Sequence, residues 1–175
     1  MNVLEFMRNH ELCGDSFIGD SWRTWDTVTA AAFGLPLDDD EQDVFKRLAG
    51  GRKPPTSRVR ELVCIIGRRG AKTQRAAAMA VYLGTVGATL DGLTDKLSTG
   101  ERGVIALVAT DRNQAAVAFN YIRGMFEASP ALASMVARTT ADSIELRNRV
   151  TIQVVTASYR AIRGKSLLAG ILDEA

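Results

Sequence analysis

ELVCIIGRRGAKT, residues 61–73, is the stretch of this chain that decides its fold. Its residues 62–66 are apolar and rich in branched side chains, which is typical of a strand buried in a sheet. Gly67 then opens a short basic loop, and residues 76–83 beyond the loop are almost wholly apolar. The order of strand, glycine-containing loop and buried helix predicts an α/β fold.

The loop also has the parts of a phosphate-binding site. A loop that opens a helix presents backbone N–H groups to phosphate oxygens, a lysine after it neutralises charge, and a hydroxyl binds Mg²⁺. Lys72 and Thr73 occupy the lysine and hydroxyl positions. The pattern G-x-x-x-x-G-K-[ST] requires glycines at positions 66 and 71, whereas Gly67 and Gly70 are each one position away. On the loop alone, a plain basic turn before a core helix stays an alternative.

A second motif lies at the other end of the sequence, LLAGILDEA, residues 167–175. In P-loop NTPases, a strand beside the phosphate loop ends in an aspartate that holds Mg²⁺ through water, and an adjacent glutamate polarises the attacking water. Asp173 fits the first role and Glu174 the second. The alternative is an exposed strand end that carries two acids by chance. Together with the loop, this motif predicts a nucleotide hydrolase that uses Mg²⁺.

An arginine precedes this second strand, in the sequence TASYRAIRGKSL. A guanidinium suits the charge that spreads over a transferring phosphoryl group, and a neighbouring subunit can supply it. Arg163 is therefore a candidate arginine finger. The alternatives are an ordinary surface arginine or a contact with a DNA phosphate.

Length and composition limit the class of protein. The chain has 175 residues, of which 46% are hydrophobic and 24% charged, so it can form one globular core of ordinary size. The net charge is only +2, although positive residues gather around the loop, namely Arg58, Arg60, Arg68, Arg69, Lys72 and Arg75. Such local charge suits phosphates or nucleic acid, or is simply solvated.

The cysteine spacing and the lack of a signal peptide or membrane span in the sequence bear on the cellular compartment and on metal binding. Two cysteines, Cys13 and Cys64, are far apart, so neither a disulfide framework nor a zinc site is predicted, and Cys64 is expected to pack in the strand as a small hydrophobic residue. The N-terminal sequence is charged throughout, and no apolar run approaches the length of a membrane span. We expect a cytoplasmic protein without a membrane partner.

The first part of the chain, residues 1–57, is predicted to be a helical N-terminal extension. Trp22, Trp25 and Phe33 lie on one apolar stripe of a helix, which favours a core role for both tryptophans. Asp38 with Glu41 predicts a capped second helix, whose buried face comprises Val44, Phe45 and Leu48.

The remainder, residues 58–175, is predicted to be the nucleotide-binding core. Residues 103–110 predict a strand buried on both faces, and a helix with a core stripe follows it, ending before Pro130. Strand, helix and strand in succession predict a mostly parallel sheet flanked by helices. Residues 143–155 alternate in a way that predicts a β-hairpin. Residues 84–103, with several glycines, are either a mobile contact element or a flexible surface connection.

These motifs resemble a known family. The compact G-R-x-x-x-K-T loop, the Arg-Gly ahead of an apolar strand and the closing LDEA are similar to the ATPase domain of the large terminase subunit, the DNA-packaging motor of tailed bacteriophages. The N-terminal Trp-x-x-Trp helix followed by GLPLDDDEQ is similar to the leading segment of many terminases, so the resemblance covers nearly the whole chain.

The resemblance implies a P-loop NTPase of the ASCE, or RecA-like, type. It implies an arginine finger at Arg163 that acts on a neighbouring subunit, a metal ligand at Asp173 and a catalytic glutamate at Glu174. In the implied nucleotide-binding loop, Lys72 is also catalytic and Thr73 is also a metal ligand. The residues of this loop are Gly67, Arg68, Arg69, Gly70, Ala71, Lys72 and Thr73. Adenine contacts in the family often involve a Trp-Gln pair, but Trp25 is followed here by Asp26. The implied partners are double-stranded DNA, a homo-oligomeric ring, the portal protein and the small terminase subunit, in the cytoplasm of an infected bacterial host.

Two further expectations follow from the family pattern. In folds of this kind a strand from beyond the second motif lies between the two motif-bearing strands, so we expect the C-terminal part of the fold to be missing and this chain to be weakly active or inactive by itself. The alternatives are a helicase-like or other DNA-dependent P-loop ATPase and a truncated, non-catalytic nucleotide-binding module.

Overall fold

The computed structural model describes residues 1–109, 112–156 and 163–173. Its helices are α1 (Val3–Arg8), α2 (His10–Cys13), α3 (Arg23–Ala32), α4 (Asp39–Leu48), α5 (Lys72–Gly84), α6 (Val86–Leu90), α7 (Arg112–Ala128) and α8 (Pro130–Ser134), with a 3-10 turn at Asp20–Trp22. Its strands are β1 (Gly103–Ala109), β2 (Val136–Thr139), β3 (Ser143–Leu146), β4 (Val150–Thr156) and β5 (Ser166–Asp173).

The strands form one sheet in the order β2-β3-β4-β1-β5. β1 pairs in parallel with β4 on one side and with β5 on the other, while β3 is antiparallel to both β4 and β2. Among the described strands, β3 alone therefore runs against the rest, and the predicted mostly parallel sheet flanked by helices is confirmed. Ile105, Ala106 and Leu107 of the central strand are buried, as expected for a strand covered on both faces.

The predicted hairpin and the predicted central helix are also confirmed. β3 and β4 are joined by a tight turn in which Arg149 has a φ of 67°, and the Asn148 side chain accepts a hydrogen bond from the backbone N–H of Val150 at 3.2 Å. α7 buries Phe119 and Ile122 of its predicted stripe in the same cluster as the sheet. Periodicity was sufficient here because both elements bury one continuous face.

The first two N-terminal helices, α1 and α2, belong to this same hydrophobic cluster. Asn2 and Glu5 form a capping box at the start of α1, and that helix buries Val3, Phe6 and Met7 completely. The rings of Phe6 and Tyr82 of α5 meet edge to face, with their centroids 5.5 Å apart. The N-terminal region therefore helps to build the core around α5.

The second N-terminal helix of the prediction is only partly as expected. Asp38 caps α4 and forms a capping box with Glu41, which confirms its start. Its predicted buried face is wrong, because Val44 and Phe45 are only half-buried and Leu48 is 56% exposed. The physical reason is that α4 packs mainly on α3, at the margin of the molecule, so only part of its apolar stripe is covered.

Residues 62–66 differ most from expectation. They lie outside the described strands, with Val63 84% and Ile65 100% exposed, and Cys64 is exposed as well. The predictions of a buried strand and of a packed Cys64 are therefore wrong for this structure. An apolar run joins a sheet only when a neighbouring strand satisfies its backbone hydrogen-bonding groups, and none of the described strands pairs with this segment.

No helix within the described part of the chain is both long and apolar enough to cross a membrane.

Candidate functional site

The direction of α5 places the loop that precedes it. A Cβ atom added at Gly84, the last residue of α5, would lie 2.9 Å from Ile152 Cδ1, and the Gly84 carbonyl accepts a hydrogen bond from the Asn148 side chain at 2.9 Å. The C-terminus of α5 therefore lies where β4 begins. Thirteen helical residues extend about 20 Å, roughly the length of β1, so Lys72 at the other end lies toward the carboxyl ends of the parallel strands.

β1 and β5 end at this same edge of the sheet. Ala109, the last residue of β1, pairs with Asp173, the last residue of β5. Ligands of open parallel sheets bind beyond the carboxyl ends of the strands, so this edge is the expected location of a site. The description of Asp173 is limited to its backbone, and Glu174 lies outside the described residues.

The loop at residues 67–71 has an unusual backbone. Arg69 and Ala71 have φ values of 64° and 54°, in the left-handed region that costs a residue with a Cβ about 1–2 kcal/mol. Position 71 is where the phosphate-loop pattern requires glycine, and Ala71 keeps the backbone conformation that glycine favours there. Turns that combine right-handed and left-handed residues direct successive N–H groups into a concavity that suits an anion.

The two glycines of the loop have different roles. A Cβ at Gly70 would overlap Ile66 Cγ2 and would lie 3.2 Å from the Gly67 carbonyl oxygen, so a larger residue at position 70 would displace the Ile66 side chain. A Cβ at Gly67 would meet nothing within 4 Å. Of the two loop glycines, Gly70 is therefore the one that neighbouring atoms approach closely.

The remaining predicted residues of the loop surround its exit into α5. Lys72 and Thr73 are the first two residues of α5 and are half-buried, while Arg68 and Arg69 are exposed in the turn. The N-terminus of a helix carries partial positive charge and orphan N–H groups, so anionic ligands are stabilised at this position. No group of three His, Cys, Asp or Glu side chains that could hold a metal occurs in the described parts of the chain.

Arg163 lies far from this edge. It is exposed, in a turn with Gly164 that precedes Ser166, the first residue of β5. Since Asp173 is at the opposite end of β5, about 23 Å separate the two ends of that strand. Within one chain the structure therefore does not bring Arg163 together with the loop.

Sequence reasoning missed a contact between α3 and the loop. The indole Nε1 of Trp25 donates a hydrogen bond to the Gly70 carbonyl oxygen at 2.8 Å. Trp25 is half-buried at the start of α3, more than forty residues before the loop. The stripe that contains Trp25 predicted a core residue, and nothing in the local sequence indicates that its polar edge meets the loop.

A buried ion pair holds α3 against α5. Asp26 accepts a hydrogen bond from Arg75 Nη2 at 2.7 Å and another from Arg8 Nη2 at 2.7 Å. The Arg75 side chain is completely buried, and its Nε donates to Thr29 Oγ1 at 3.0 Å. Burial lowers the pKa of Arg75, and the charge of Asp26 opposes that shift. The sequence feature that could have indicated this ion pair is the presence of Asp26 and Arg75 on otherwise apolar helix faces.

The basic cluster predicted around the loop is only partly a free surface. Arg58 forms an ion pair with Asp91 at 2.9 Å, and Arg75 is occupied by Asp26. Arg60, Arg68 and Arg69 are exposed. The accessible positive charge is therefore concentrated on the segment that leads into the loop and on the loop itself.

Comparison with solved structures identifies a similar fold. The chain is similar to the crystal structure of the HK97 bacteriophage large terminase, with a TM-score of 0.54 and 20% sequence identity over 90% of this chain and 31% of that chain. This chain thus spans about a third of the length of that neighbour. No protein-family model matches the chain, and no curated protein sequence matches it. At this level of identity the likeness concerns the fold, which is terminase-like.

Proposed function

We propose that this chain is the nucleotide-binding core of a DNA-packaging ATPase of the large-terminase type, which uses ATP and Mg²⁺ to move double-stranded DNA into a procapsid. The observation that carries the proposal is the direction of α5: its C-terminus lies where β4 begins, so we infer that the loop at its N-terminus faces the edge of the sheet where β1 and β5 end. The residues of this segment fit a nucleotide and its metal. The loop contains two residues with left-handed backbone conformation, and α5 begins with a lysine and a threonine.

In this proposal the residues of the loop bind and orient the phosphates. Backbone N–H groups of the loop other than that of Gly70, which donates to the Gly67 carbonyl, donate to phosphate oxygens, the Lys72 ammonium neutralises their charge, and Thr73 Oγ1 would hold the metal. Arg68 and Arg69 contact the nucleotide from the exposed turn. Asp173 would be the acid that holds the metal, and Glu174 would accept a proton from the attacking water. Mg²⁺, when bound, withdraws charge from the phosphate oxygens.

Arg163 is proposed to act on the nucleotide of a neighbouring subunit. Its position at the opposite end of β5 from Asp173 supports a role in a neighbouring site over a role in its own. A trans role requires an oligomer in which this end of one chain faces the loop of the next, and a ring has that arrangement. The portal protein and the small terminase subunit are the further partners of this proposal.

The decisive test is Lys72→Ala. Loss of a charge-assisted hydrogen bond to phosphate is expected to weaken the binding of a fluorescent ATP analogue in the presence of Mg²⁺ by about tenfold or more, and to abolish any release of phosphate. Lys96→Ala is the matched control, because Lys96 is an exposed lysine outside the loop. Equal nucleotide affinity of the two folded variants would remove the loop from the proposed site.

A second candidate is a module that binds nucleotide without hydrolysing it. Exposure of residues 62–65 favours it, because the segment that leads into the loop is not anchored in the described sheet. Precise positioning is required for phosphoryl transfer, more than for binding. Nucleotide binding that depends on Lys72, without any release of phosphate, would support this candidate. A helicase-like or other DNA-dependent ATPase shares the same sheet and site.

A further inference from the structure

The loop at residues 67–71 is attached to the rest of the fold through the Gly70 carbonyl. Within the loop, the Gly70 N–H donates to the Gly67 carbonyl at 3.3 Å, which is a long and weak turn contact. The hydrogen bond from Trp25 Nε1 to the Gly70 carbonyl is shorter, at 2.8 Å, and comes from a different element. The position of this carbonyl is therefore defined by α3.

Fixing that carbonyl also fixes an N–H group. The Gly70 carbonyl and the Ala71 N–H belong to one planar trans peptide unit, in which they point in opposite directions. A Gly70 carbonyl that is held toward α3 therefore directs the Ala71 N–H away from α3. Ala71 precedes Lys72, so this N–H is one of the orphan donors at the start of α5.

Trp25 can hold the carbonyl because its own backbone is fixed within α3 and is linked to α5. The Trp25 carbonyl accepts a hydrogen bond from Thr29 Oγ1 at 2.7 Å and a weaker one from Arg75 Nη2 at 3.4 Å. The next residue, Asp26, forms the buried ion pair with Arg75. Arg75 lies one helical turn beyond Ala71, and its backbone N–H donates to the Ala71 carbonyl. Helix α3 therefore contacts both the loop, through Trp25, and the first turn of α5, through Asp26.

We infer that Trp25 is a positioning residue for the phosphate loop: its indole N–H orients the peptide between Gly70 and Ala71 so that the Ala71 N–H is available to an anion. The identification of the anion as a nucleotide phosphate rests on the proposed function. It assigns the N-terminal helix α3 a part in the site that does not require contact with the base.

The test compares Trp25→Phe with Trp22→Phe. Both substitutions remove one indole N–H and keep an aromatic ring, but Trp22 packs on Phe17, at a centroid distance of 4.9 Å, and has no hydrogen bond to the loop. Without nucleotide, Trp25→Phe is expected to increase trypsin cleavage after Arg69 by about fivefold, since one neutral hydrogen bond is lost. With Mg²⁺ and a fluorescent ATP analogue, its affinity is expected to fall by a similar factor. Trp22→Phe is expected to change neither quantity beyond its effect on global unfolding, measured in urea.

Two results would overturn the inference. The first is a folded Trp25→Phe variant that is cleaved after Arg69 at the same rate as the unsubstituted chain. The second needs no substitution at Trp25: hydrogen exchange of the two indole N–H groups, measured by NMR, should be slower for Trp25 than for Trp22, and equal rates would exclude the hydrogen bond. If the loop responds as expected but no variant binds nucleotide, the proposed function fails and the positioning of the loop by Trp25 stands.

Discussion

Asp26 forms ion pairs with two guanidinium groups, those of Arg8 and Arg75, where the N-terminal helices meet α5. One of them, Arg75, is completely buried, and its guanidinium also lies 5.8 Å from the centroids of the Phe17 and Trp22 rings. Its Nη1 has no hydrogen-bond partner among the described residues. A buried cation in these surroundings depends on its anion, because removal of one partner leaves an uncompensated charge in a medium of low dielectric constant.

The first prediction at this scale concerns Asp26→Ala. The substitution is expected to lower the free energy of unfolding by about 3–5 kcal/mol, since Arg75 would lose its ion-pair partner inside the core. Asp40→Ala breaks a pair with Arg23 at 3.4 Å between exposed side chains and is expected to cost less than about 1 kcal/mol. Urea unfolding monitored by circular dichroism measures both values.

A double variant shows whether the buried charge is the cause. Adding Arg75→Met to Asp26→Ala removes the stranded cation and keeps much of its volume, so part of the lost stability should return. If Asp26→Ala costs as little as Asp40→Ala, the pair does not hold α3 on α5.

At the scale of single residues, the sequence predicted that a helix follows the loop, but not the contacts that other elements make with the loop. Lys72 and Thr73 follow from a pattern of neighbours along the chain, and the structure begins a helix at Lys72. The contacts of Trp25 and Asp26 join residues more than forty positions apart. Such contacts depend on how α3 packs on α5, which no local pattern specifies.

Among the secondary-structure elements, those whose formation depends on local signals were predicted well. The capping box of α4, the stripe of α7 and the turn between β3 and β4 are each encoded within a few residues. Residues 62–66 carry an equally strong apolar pattern, yet they lie outside the described strands. Strand pairing is non-local, so an apolar run shows that a segment can enter a sheet but not that a partner strand is present.

Cysteine labelling tests this description of residues 62–66. Cys64 is exposed and Cys13 is buried, and desolvation raises the pKa of both thiols, that of Cys13 to about 11. Because the thiolate is the reactive form, Cys13 should react very slowly at pH 8, both from lack of access and from its low thiolate fraction. We expect a thiol reagent to modify Cys64 at least about a hundredfold faster than Cys13.

Cys64→Ala serves as the control for this labelling, since it should remove the fast phase and leave the slow one. Slow modification of both cysteines in the folded chain would mean that residues 62–66 are covered, as a strand within a sheet would be. That result would contradict the exposure of Cys64 described above.

At the scale of the whole molecule, helices α1 and α2 and the sheet share one hydrophobic cluster. Phe6 and Met7 of α1 are in the same cluster as Ala77 of α5 and Ile105 of β1. The division at residue 57 into an extension and a core stays a prediction about function, but the cluster makes a physical prediction about folding. Elements that share one core of this size are expected to unfold in a single cooperative transition.

Phe6→Ala tests this coupling. Phe6 is completely buried and its ring packs on the edge of Tyr82, so the substitution is expected to lower the free energy of unfolding by about 3–5 kcal/mol, a large share of the total for a domain of this size. Leu48→Ala, in the exposed part of α4, is the control and should cost little. Urea unfolding should be followed both by circular dichroism and by cleavage after Arg147, in the turn between β3 and β4. If α1 were an independent appendage, Phe6→Ala would leave the unfolding of this hairpin unchanged, whereas a shared core requires that both probes shift together.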